Sequence, residues 1–182
     1  MLQLSFRWVA NGFVPCRNPR KRAVLGLALL LLAGCGGDRG EHAERIVRGT
    51  GYRFAAPLGW PVVRRDREVQ AAHGVALVSV TRYPLIRSYR TSLWDHVLPE
   101  LDRAAAGLAA QQHGNVGESA TVTVSGHRAR RYDIDYERDG KQLVERLAFV
   151  LRGKTEYLLL CRYARGGDTR ACDRLLATFT LD

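Results

Sequence analysis

Hydrophobic and polar positions along this 182-residue chain change rhythm at a few sharp points, and each change predicts an element. Ala23 to Leu32 is an unbroken apolar run, followed by Ala33, Gly34 and Cys35. From Gly36 to Gly49 the chain is glycine-rich and mixed in charge, the composition of a solvated tether. Strand patterning begins near Thr50: Gly51 to Pro57 and Val62 to Arg65 are extended pieces separated by the turn Leu58-Gly59-Trp60-Pro61. Val69 to Ala72 and Val75 to Tyr83 flank His73-Gly74 as two further strands, and Pro84 is expected to close the second.

The period then lengthens. Trp94, Val97, Leu98, Leu101, Ala105 and Leu108 recur at steps of three and four, which predicts a helix with one apolar stripe. Ser92 with Asp95 supplies a start, Gly114 a C-terminal cap, and Pro99 inside the run predicts a kink. From Glu118 to Glu137 polar and apolar residues alternate, and Asp139-Gly140 marks a two-residue hairpin that sets Asp133 opposite Arg146 and Tyr136 opposite Leu143. Leu143 to Leu151 turns through Arg152-Gly153-Lys154 into Thr155 to Tyr163. A last helix starts at Asp168 or Thr169 and carries Cys172, Leu175, Leu176 and Phe179 on one face. Long apolar strands with two covering helices make an α+β sandwich on an antiparallel sheet.

The leading apolar run decides where the chain works. Ten residues make about 15 Å of helix, half of a hydrocarbon core, so this is the length of a signal-peptide apolar region and not of a span. Arg17, Arg20, Lys21 and Arg22 provide its positive flank. Residues 1–15 are unusual for such a flank, which fits a start codon placed too early. Leu32-Ala33-Gly34-Cys35 resembles the lipobox of bacterial lipoproteins. That resemblance implies that residues 1–34 are a cleaved leader, that Cys35 is acylated, and that residues 35–49 tether a domain of residues 50–182 to the extracytoplasmic side of a membrane.

Charge and cysteine usage change once the leader is set aside. Five of the 28 basic residues and none of the 18 acidic ones precede Cys35, so the remainder carries 23 bases against 18 acids, or +5. Cys16 lies in the leader and Cys35 takes lipid, which leaves Cys161 and Cys172 as a disulfide pair in an oxidising compartment.

Candidate chemistry is sparse. Asp135-x-Glu137-x-Asp139-Gly140 has the rhythm of a calcium loop, but its twelfth position is Arg146 and its alternation is that of a strand. Gly153-Lys154-Thr155 ends like a phosphate loop, yet Ala148 stands where the first glycine belongs and a strand follows, so a hairpin is expected. The five histidines form no metal-ligand spacing, and Ser125 and His127 are not set up as a nucleophile and base. Neither a metal nor another cofactor is expected, and no catalytic residue is assigned. Basic clusters at Arg64, Arg65 and Arg67, at Arg82 with Arg87 and Arg90, and at Arg128, Arg130 and Arg131 are candidate contacts for lipid headgroups or an acidic partner. Nucleic acid is not an expected partner.

Phe54-x-x-Pro57-x-Gly59-Trp60 at the start of the domain resembles the opening of the Mog1/PsbP-like family. The resemblance implies an α/β/α sandwich around a central antiparallel sheet, and a non-enzymatic accessory or scaffold module that serves a membrane-associated partner in the cell envelope. The alternative is a carrier for a small apolar molecule or lipid, held between the sheet and the long helix; a hydrolase is a third, weaker reading.

Overall fold

The computed structural model describes residues 43–182. The leader, Cys35 and the first part of the tether lie outside the described residues.

Nine strands and two helices follow in order: β1 (Glu44–Gly49), β2 (Tyr52–Pro57), β3 (Val62–Arg64), β4 (Glu68–His73), β5 (Ala76–Tyr89), α1 (Trp94–Gln111), β6 (Asn115–Val124), β7 (His127–Arg138), β8 (Lys141–Ala164), α2 (Arg170–Thr178) and β9 (Thr180–Leu181). The central sheet runs β3-β4-β5-β8-β7-β6, every pairing antiparallel. One face is covered by α1, and the other by α2 with a small sheet in the order β1-β2-β9. The layered α+β sandwich read from the sequence is therefore the architecture found.

β8 is the spine. Its first half pairs with β7 and its second half with β5, on opposite sides. The Arg165 N–H donates to the Gln142 carbonyl at 2.9 Å, and Arg162 lies 3.6 Å from Glu145. Both pairs are centred on Gly153-Lys154, so the 24-residue strand doubles back there as the expected hairpin. Gly153 takes φ 55°, the backbone that the first position of a tight hairpin turn needs. The two arms bury both faces, with Val144, Ala148, Leu159 and Cys161 toward the small sheet and Leu143, Leu147, Phe149 and Leu158 toward α1.

The hairpin at Asp139-Gly140 has the predicted register, Asp133 against Arg146 and Tyr136 against Leu143. Both turn residues take positive φ, 53° and 70°. Ser125-Gly126 forms a second such turn between β6 and β7 with φ 53° and 74°.

Four details depart from the sequence pattern. The predicted tether ends before Glu44: residues 44–49 form β1 against β2, because Val47 is 1% exposed in the core while Ile46 and Arg48 on either side face out. One buried residue among charges is a weak strand signal. Pro84 does not end β5, which continues to Tyr89; β4 stops pairing at Thr81, so the proline sits where β5 has a single strand neighbour and its missing N–H deprives no ladder on the open side. Ser92 does not cap α1; it lies in a 3-10 turn (Thr91–Leu93), and no side chain caps the helix start. At the other end His113, not Gly114, takes the left-handed conformation (φ 54°), with N–H groups of His113 and Gly114 bonded back to Ala110 and Ala109. Gly114 is small for another reason: a Cβ there would fall 2.5 Å from the Asp135 carbonyl oxygen and 2.7 Å from the Tyr136 Cβ. The helix runs through Pro99 from Trp94 to Gln111.

Gly114→Ala is therefore expected to cost about 1–3 kcal/mol by overpacking α1 against β7. His113→Gly, one residue earlier, relieves a left-handed side chain and should be neutral or stabilising by about 1 kcal/mol. Urea unfolding of the two variants checks both signs.

Candidate functional site

Two depressions and one buried carboxyl stand out from simple packing among the described residues. The larger depression, about 690 Å³ and open to solvent, lies where β1 begins beside α2 and is lined by Leu58, Trp60, His73 and several charged groups. Its charges are matched locally. Arg174 grips Glu44 through both carboxylate oxygens at 2.5 and 2.6 Å, and this hydrogen bond holds the Glu44 carboxyl below its usual range. The Asp168 carboxylate accepts the Arg170 backbone N–H at 2.9 Å at the start of α2.

The smaller depression, about 160 Å³, lies at the opposite end of β1. Arg48 comes from the end of β1, Arg64, Arg65 and Arg67 from the β3–β4 hairpin, and Arg82 from β5. Two carboxylates line the same cup, Asp66 and Glu68. Glu68 accepts from Arg65 at 2.9 Å, and Asp66 lies 3.6 Å from Arg67. Arg48, Arg64 and Arg82 have no carboxylate within ion-pair distance among the described residues. The Arg82 Nε is buried and lacks a hydrogen-bond partner among them. Tyr52 forms the apolar floor; its hydroxyl donates to the Val80 carbonyl at 3.1 Å, and burial pushes its phenol up to about 12.

Of the three predicted basic clusters, the fold gathers the first, brings Arg82 of the second to it, and splits the third. Arg64, Arg65 and Arg67 meet at the cup. Arg128 and Arg130, two apart, lie on the α1 face of β7 and Arg131 on the other: Arg128 lies over the Trp94 ring at 5.4 Å, Arg130 bonds Ser119 at 2.9 Å and lies 3.5 Å from Asp102, and Arg131 pairs with Glu118 at 3.3 Å. Consecutive strand residues point to opposite faces, so a run of basic residues in a strand is not one patch. Arg48 and Arg82 were not legible as members of the first cluster, because only the strand order brings them to it.

Cys161 and Cys172 are bonded, with Cα atoms 5.3 Å apart, joining β8 to α2 as predicted. Cys35 lies outside the described residues. Asp133 and Asp135 stand in β7 and each is held by arginine, Asp133 by a two-pronged pair with Arg146 (2.8 and 2.9 Å) and Asp135 by Arg165 at 2.7 Å. Gly153-Lys154-Thr155 is a hairpin tip with strand on both sides. The Ser125 Oγ accepts the Leu181 N–H at 3.3 Å. Between the sheet and α1, where a carrier would need a cleft, Trp94, Leu101, Tyr132, Leu147, Phe149 and Leu158 fill the space.

Glu156 was missed. It sits at the base of the second β8 arm, 0% exposed, and neither carboxylate oxygen has a hydrogen-bond partner among the described residues. Burial pushes its carboxyl up to about 7. Tyr83 faces it across the β5–β8 pairing and is raised to about 12, first by its own burial and then by Glu156. The visible signal was an acidic residue directly before the apolar run Tyr157 to Cys161.

Comparison with known proteins bears on the fold alone. No protein-family model matches this sequence, and none of the curated proteins matches it. Among solved structures, CyanoP, the cyanobacterial PsbP of Synechocystis sp. PCC 6803, superposes with a TM-score of 0.56 at 13% identity, over 83% of this chain and 99% of that one. The fold is PsbP-like. A Bacteroides thetaiotaomicron protein gives 0.55 at 12% identity over 76% of this chain, which spans about half (48%) of its length. LpqN of Mycobacterium tuberculosis, described as involved in cell envelope biogenesis, gives 0.35 at 11% identity over 80% of this chain and 87% of that one, too loose to bear on the PsbP-like assignment.

Two outcomes follow from the buried groups. The unfolded chain releases the Glu156 proton near 4.5 and the fold near 7, so the folded state holds the extra proton between these values and stability falls as pH rises through that window. Urea titrations from about pH 5 to about pH 8 should show this loss, on the order of 3 kcal/mol, and Glu156→Gln should flatten it. Cys172→Ser opens a loop of ten residues, Arg162 to Ala171, and should cost about 2–3 kcal/mol; a reductant should then destabilise the parent and leave the variant unchanged.

Proposed function

We propose that this chain is a lipid-anchored protein on the extracytoplasmic side of a bacterial membrane, where its PsbP-like domain acts as a non-enzymatic accessory or scaffold module for a membrane-associated partner. The observation that carries the reading is the Cys161–Cys172 bond in a domain that follows a leader ending Leu32-Ala33-Gly34, directly before Cys35. Such a bond persists outside reducing cytosol, and the leader is the device that would take the chain there. Acylation at Cys35 would supply two chains, enough for stable anchoring where one is not. The folded domain adds charged, open surfaces on a rigid sandwich, which suits recognition of another envelope component. The filled space beneath α1 favours this role over carriage of an apolar molecule.

Metabolic labelling with a palmitate analogue tests the anchor. The wild-type chain should take up label and sediment with membranes, and Cys35→Ala should do neither. A wild-type chain that is unlabelled and remains in the soluble fraction would sink the proposal. Crosslinking in intact cells, followed by detergent extraction, then tests the accessory role through capture of a membrane protein.

A further inference from the structure

The cup at the end of β1 has a composition that packing alone does not explain. Five guanidinium groups from three separate parts of the chain meet two carboxylates in about 160 Å³. Arg65 and Arg67 are matched by Glu68 and Asp66, which leaves Arg48, Arg64 and Arg82 unmatched. Like charges brought together in this way repel, and a fold tolerates that most readily where an anion completes the set. Arg48 and Arg64 are exposed, whereas Arg82 is part-buried on β5, opposite Tyr157 of β8 and one residue past the last β4 pair. Its backbone is fixed as well, by the Arg82 N–H donating to the Arg67 carbonyl at 2.8 Å. The buried Nε–H of that side chain has no acceptor among the described residues. A buried donor without an acceptor costs roughly 1–3 kcal/mol, which a bound oxyanion would recover.

We propose that this cup binds a phosphate group, with Arg82 as the fixed donor at its wall and Arg48 and Arg64 closing over it from the rim. Guanidinium forks match the paired oxygens of phosphate, and arginine rather than lysine is the residue for such two-pronged recognition. The volume is below the roughly 300 Å³ at which pockets for larger ligands begin, so the cup takes one phosphate group and not the whole of a nucleotide or polymer. Two sources carry that chemistry, the headgroup of an anionic phospholipid and free inorganic phosphate. The inference does not depend on Cys35 being acylated.

Arginine-specific labelling by phenylglyoxal, read by mass spectrometry on the full chain in a neutral detergent, tests it. Inorganic phosphate, or micelles doped with phosphatidylglycerol, should each be compared with chloride at matched ionic strength. Labelling at Arg48, Arg64 and Arg82 should fall by about fivefold or more, while exposed Arg87 and Arg103 serve as unprotected references. Protection by doped micelles alone identifies a lipid headgroup, protection by the free ion identifies inorganic phosphate, and either supports the cup. Arg82→Gln should abolish protection at Arg48 and Arg64. Arg64→Gln, a change at an exposed position that leaves the fold intact, should weaken protection at Arg48 and Arg82. Equal labelling with phosphate, doped micelles and chloride overturns the proposal, and so does protection that survives unchanged in both variants.

Discussion

The fold depends on burying both faces of one hairpin. β8 doubles back at Gly153 and supplies two adjacent strands of the central sheet, and its apolar side chains alternate between the two cores. A hairpin that is apolar on both sides needs a cover on each. On one side α1 provides it, with Trp94, Val97, Leu101, Ala105 and Ala109 turned inward. On the other, α2 and the small sheet do, through a cluster in which Tyr52, Tyr157 and Phe179 meet at ring distances of 5.8 to 5.9 Å. In chain order β1, β2 and α1 precede β8, and α2 and β9 follow it, so each face gets its cover from a different part of the chain.

Polar groups trapped near that hairpin fall into two kinds. Glu145 is satisfied: the Tyr136 hydroxyl donates to it at 2.8 Å and Arg162 lies 3.6 Å away, so burial is offset by partners. Glu156, eleven residues further along the same strand, has no hydrogen-bond partner among the described residues, and the fold answers by favouring its neutral form. Similar residues in one strand thus carry opposite electrostatic consequences, and the difference is set by what stands across the sheet.

Much of this arrangement was legible in the residues themselves. Asp139-Gly140 fixed a register that holds along the whole β7–β8 pairing, because a two-residue turn leaves no freedom to slip. The stripe from Trp94 identified the inward face of α1, since its period is a property of any helix. What could not be read was long-range. β1 hid its single buried valine among charges, Pro84 was tolerated because β4 had already ended, and the arginine cup needed the strand order to unite Arg48, Arg64 and Arg82. The candidate site belongs mostly to this second class. Its three closely spaced arginines, Arg64, Arg65 and Arg67, were visible in sequence, and the joining of Arg48 and Arg82 to them was not.

The clamp between Arg174 and Glu44 has a mechanical consequence. Glu44 opens β1, Arg174 lies in α2, and α2 is covalently tied to the spine through Cys172 and Cys161. A tug on the leading end of the domain is therefore shared between the β1–β2 ladder and a second load path that runs through one ion pair and one sulfur bridge into β8. Only while the bridge is closed does that second path enter β8 through a covalent bond.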